Sequence, residues 1–107
     1  MRVEEMETGQ VLVFTADTGW CPELIDFSQG AHVLIADSPF TNERGRNEIH
    51  MTASEVAQLA NQAHVQTLIA SHMAPHADQT LILQQITTDL SADINLVHCQ
   101  PGLTLSL

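Results

Sequence analysis

Three short apolar runs punctuate the first two thirds of the chain, and each stops at a side chain able to bind a metal or carry a proton. Val11-Leu12-Val13-Phe14-Thr15-Ala16 stops at Asp17, Val33-Leu34-Ile35-Ala36 at Asp37, and Thr67-Leu68-Ile69-Ala70-Ser71 at His72. Runs this short, rich in β-branched residues and without a polar break, predict strands buried on both faces. In open α/β sheets, ligands gather outside the carboxyl ends of the strands, where side chains leave the layered core for a crevice. The pattern predicts one shared functional edge.

The intervals between these runs predict helices. Pro22 and Glu23 suit a first helical turn, where a missing N–H costs nothing and a carboxylate meets the positive end of the dipole. Leu24, Ile25 and Phe27 give that short helix an apolar side, and Gly30 ends it. Thr52-Ala53-Ser54-Glu55 spells a capping box, in which the Thr52 hydroxyl accepts from the Glu55 N–H while the Glu55 carboxylate reaches back. Ala53, Val56, Ala57, Ala60 and Ala63 then recur at helical spacing, so Ala53 to His64 is expected to lie close against a sheet.

The third strand is expected from Val65 or Gln66 to Ser71, and a further helix from Asp78 or Gln79 to Leu90, with Ile82, Leu83, Ile86 and Leu90 on one side. Strands are expected from Ile94 to His98 and, past the turn Pro101-Gly102, from Leu103 to Leu107. Met1 to Thr8 is acidic and aperiodic, a solvated lead-in or a hairpin arm, and Thr41 to Ile49 reads as a long loop. Alternation of this kind predicts an α/β fold with a mainly parallel or mixed sheet and crossover helices.

At 107 residues the chain is expected to form one domain, 1–107. With 44% hydrophobic and 15% charged residues it has the composition of a globular rather than a disordered protein. The net charge of −10 rests on 13 acidic residues against Arg2, Arg44 and Arg46, with no lysine. That removes the cationic footprint needed for broad contact with a nucleic-acid duplex. No apolar stretch is long enough to span a membrane, and no basic-then-apolar leader is visible, so a cytoplasmic location is expected. Cys21 and Cys99 lie far apart and are expected to be reduced small hydrophobes.

Asp17, Asp37 and His72 fall at equivalent strand ends, and His50 stands two residues ahead of the Thr52 cap. Carboxylate and imidazole are the hard and borderline ligands that zinc, manganese or iron accept. Taken singly, an Asp after a strand is more often a turn or cap residue, and a lone His more often structural. Their coincidence at one edge is what favours a functional site. The helix start beside His50 favours an anion. Arg44 and Arg46 either add bidentate contacts to a phosphate or simply offset an acidic surface. His32, His64 and His98 are set aside, as is His76, which follows Pro75 and lacks the Glu of His-Glu-x-x-His.

Thr15-Ala16-Asp17-Thr18-Gly19, Gly30-Ala31-His32-Val33-Leu34-Ile35-Ala36-Asp37, Ile49-His50-Met51-Thr52-Ala53 before an alanine-rich helix, and Leu68-Ile69-Ala70-Ser71-His72-Met73-Ala74-Pro75 follow in that order. Together they resemble the second half of metallo-β-lactamase-fold hydrolases, in the branch of ribonuclease Z and related small bacterial phosphodiesterase-like proteins. The resemblance runs from about residue 9 to the C-terminus and implies the C-terminal half of an αββα sandwich. It implies that Asp17 bridges two divalent metal ions, zinc foremost with manganese or iron as alternatives, and that His72 is the last histidine ligand of the second metal. It also implies that His50 touches the phosphate and assists the leaving group, while Asp37 stands where the branch has a glutamate paired with that histidine. Such sites hold their ions roughly 3.5 to 4 Å apart, with a hydroxide between them, and clamp the scissile phosphate.

The His-x-His-x-Asp-His motif, which carries most of that family's metal ligands, does not occur in this chain. A catalytic zinc usually takes three protein ligands and an open position, so the isolated chain is expected to bind metal weakly and to be inactive. Its expected partner is the missing N-terminal half, or another chain supplying it. One sheet face would then lack its cover, which predicts homo-oligomers through that face. For the complete fold, the resemblance implies a small phosphodiester or RNA-like substrate. The alternative is a non-catalytic binding or assembly module that retains the half-fold. A receiver-like phosphoacceptor domain also puts Asp at strand ends, but it needs a lysine that this chain lacks.

Overall fold

The apolar runs become adjacent strands of one sheet in the computed structural model, which describes residues 2–4, 7–15, 20–37, 51–71 and 79–98. The sheet is laid down in chain order: β1 (Arg2–Glu4), β2 (Val11–Phe14), β3 (Val33–Asp37), β4 (Thr67–Ser71) and β5 (Asn95–His98). β1 is antiparallel to β2, with Val3 opposite Leu12, so the acidic lead-in is a hairpin arm. β2 to β5 are all parallel. Their crossovers contain α1 (Glu23–Ser28), α2 (Ala53–Ala63) and α3 (Gln79–Asp89). Parallel crossovers are right-handed, and each new strand here is added on the same side of the last. The three helices are therefore stacked on one face, α1 against α2 and α2 against α3.

The core lies between that face and the helices. Val11 and Val13, Leu34 and Ala36, and Leu68 and Ala70 alternate inward along their strands, as period-two strands require. They meet Val56, Ala57, Leu59, Ala60 and Ala63 of α2 and Ile82 and Ile86 of α3. The small residues expected on α2 are fully buried, which lets its backbone lie close to the sheet.

The strand registers place Leu12, Phe14, Val33, Ile35, Ile69 and Val97 on the opposite face, with Val3 at its margin. Val33 and Ile69 are buried there, whereas Leu12, Phe14, Ile35 and Val97 are half-buried and Val3 is 46% exposed.

Polar side chains close the helix ends. α2 stops at Ala63, one residue short of the expected end, because His64 takes a left-handed conformation (φ 57°) and its N–H reaches back to Ala60 O and Asn61 O. Asn61 Nδ2 donates to Asp89 O at 2.8 Å, and its Oδ1 accepts from Ser91 N at 2.7 Å, covering the end of α3. Ser54 Oγ donates to Asp89 Oδ2 at 2.6 Å and ties α2 to α3. Arg2 Nη1 donates to Phe27 O at 2.8 Å, which fixes β1 against the carbonyl end of α1. The strand expected from Leu103 to Leu107 lies outside the described residues. Among those described, no helix is long and apolar enough to cross a membrane.

Candidate active site

Because β2, β3 and β4 are parallel neighbours, their carboxyl ends open on one edge, as the sequence pattern predicts. Phe14 is level with Ile35, and Thr15 N extends the ladder by donating to Ile35 O at 3.0 Å. Asp37 closes β3 level with Ser71, the last residue of β4. Asp17 follows Thr15 by two residues, and His72 follows Ser71 directly. Two strand spacings separate the exits of β2 and β4, about 10 Å. Asp17, His50, His72, Arg44 and Arg46 themselves lie outside the described residues, and of Asp37 only the backbone position is described. Among the described residues, no three His, Cys, Asp or Glu side chains are grouped so as to hold a metal ion.

The start of α2 borders the same edge. Met51, 1% exposed, anchors the chain where it enters the helix directly after His50. The expected capping box is formed: Thr52 N donates to Glu55 Oε1 at 3.0 Å, and Glu55 N donates to Thr52 Oγ1 at 3.3 Å. Both residues are buried. Two amides of the first turn are thus committed to the box, and a protein carboxylate already sits at the positive end of the dipole. The helix start is a weaker anion site than its sequence position suggested.

The histidines separate by their place in the sheet. At the amino edge, Val11 N donates to His32 Nδ1 at 2.9 Å while His32 N donates to Val11 O at 2.9 Å, so His32 completes the β2–β3 ladder. His64 is the left-handed cap of α2. His98 closes β5 level with Ala70 and is half-buried at the carboxyl edge. Sequence reasoning set His98 aside, although its place at the end of an apolar run is the signal that singled out His72.

Among the described residues, the carboxyl groups of Glu23 and Asp93 are more acidic than usual. Cys21 Sγ donates to Glu23 Oε2 at 2.6 Å, and this bond, with one from the Glu23 backbone, lowers the Glu23 pKa below 4.5. Asp93 is held below 3.8 by the hydroxyl of Ser91, then by its own backbone N–H, with a smaller contribution from the charge of His64. Both groups are exposed, and both serve local turns rather than the strand-end edge.

No established family profile matches the chain. An uncharacterised protein of Mycobacterium leprae is 25% identical over 91 residues, which make up 84% of this chain and 32% of that protein. Ribonuclease Z of Acaryochloris marina is 30% identical over 91 residues, 80% of this chain and 29% of the ribonuclease. The metallo-β-lactamase fold protein YhfI of Bacillus subtilis superposes with a TM-score of 0.84 at 22% identity, over 96% of this chain and 41% of YhfI. The chain therefore spans about a third of the length of the curated relatives it matches.

Proposed function

The chain carries part of the metallo-β-lactamase fold, and from that premise we propose that it contributes one side of a two-metal site in a hydrolase acting on phosphodiesters. The observation that carries this reading is the common carboxyl edge of β2, β3 and β4. At that edge the three strands lead into Asp17, end on Asp37 and lead into His72. The similarity to a ribonuclease points to a phosphodiester as the bond attacked.

Asp17 and His72 have the donor chemistry for a divalent ion, one hard carboxylate and one borderline imidazole. They are two ligands where a catalytic zinc takes three. The remaining ligands are assigned to the part of the fold that this chain does not span. When bound, zinc, or manganese or iron in its place, supplies Lewis acidity toward the phosphoryl oxygens and lowers the pKa of a water. The residues of the chain position and protonate. In this reading the role of His50 is to give its proton to the departing oxygen, and that of Asp37 is to accept from the other ring nitrogen and fix the ring's orientation. The same reading gives Arg44 and Arg46 the non-bridging oxygens, which a guanidinium can bind in forked contacts. A cytoplasmic setting is part of this proposal; among the described residues Cys21 is a free thiol that donates to Glu23 Oε2.

Complementation tests the reading. The chain, fused to or mixed with the segment of the longer fold that bears His-x-His-x-Asp-His, should hydrolyse bis(4-nitrophenyl) phosphate when zinc or manganese is added. Asp17→Asn or His72→Asn should then lower kcat at least about 100-fold, more than loss of a residue that merely supports a ligand costs. Turnover that survives Asp17→Asn would overturn the assignment. A second reading, a non-catalytic assembly module, is favoured by the half-buried sheet face opposite the helices. It predicts a stable complex with that segment and no turnover in the same assay.

A further inference from the structure

We draw no further inference here: the strongest candidate, the half-buried His98 at the carboxyl end of β5, would act only through Asp17 and His72, which lie outside the described residues.

Discussion

Ser28 is wholly buried at the end of α1, and its hydroxyl has no hydrogen-bond partner among the described residues. A buried hydroxyl left unpaired costs about 1 to 3 kcal/mol. Ser28→Ala should therefore raise stability by about 1 kcal/mol, read as a higher urea midpoint at unchanged slope; a lower midpoint would show that the hydroxyl is satisfied. Glu23 and Asp93 act on stability in the other direction. Their folded-state pKa values lie below 4.5 and 3.8, so the stability they add is complete above those ordinary values and is lost as pH falls through the lowered ones. Thermal midpoints recorded on acidification should drop in that window, and Asp93→Asn should make the drop shallower. An unchanged acid limb in the variant would remove Asp93 from the account.

At the scale of elements, α2 shows why some structure is legible in sequence and some is not. Its start, its buried side and its approximate end follow from the Thr52–Glu55 box and the spacing of Ala53, Val56, Ala57, Ala60 and Ala63, all local features. Thr52→Ala should cost about 1 kcal/mol in chemical unfolding, with Thr52→Ser nearly neutral; equal losses in both would mean that packing of the Thr52 methyl group, not capping, dominates. The role of His32 was hidden because its partner, Val11 N, is 21 residues upstream. The pairing of β1 depends likewise on distant groups, Arg2 meeting the Phe27 carbonyl 25 residues away. Of the candidate site, the shared strand edge could be read from where the apolar runs stop. The weakened pull of the α2 start on anions could not, since it depends on where the buried Glu55 carboxylate lies in three dimensions.

For the molecule as a whole, the two faces of the sheet have different fates. One is sealed by three helices, while the other leaves Leu12, Phe14, Ile35 and Val97 half-buried and Val3 exposed. Apolar surface of this kind favours association. The isolated chain should show a weight-average mass by light scattering above that of a monomer and rising with concentration. Val97→Lys should lower it without loss of helical circular dichroism. A monomer at every concentration would count against an open face. The sheet order has a consequence of another sort. Since β1 to β5 stand side by side in the order of the chain, each of the strands β2 to β5 finds a neighbour already made as it leaves the ribosome. This part of the sheet can then be laid down strand by strand from the β1–β2 hairpin, each pairing joining segments that follow one another in the chain.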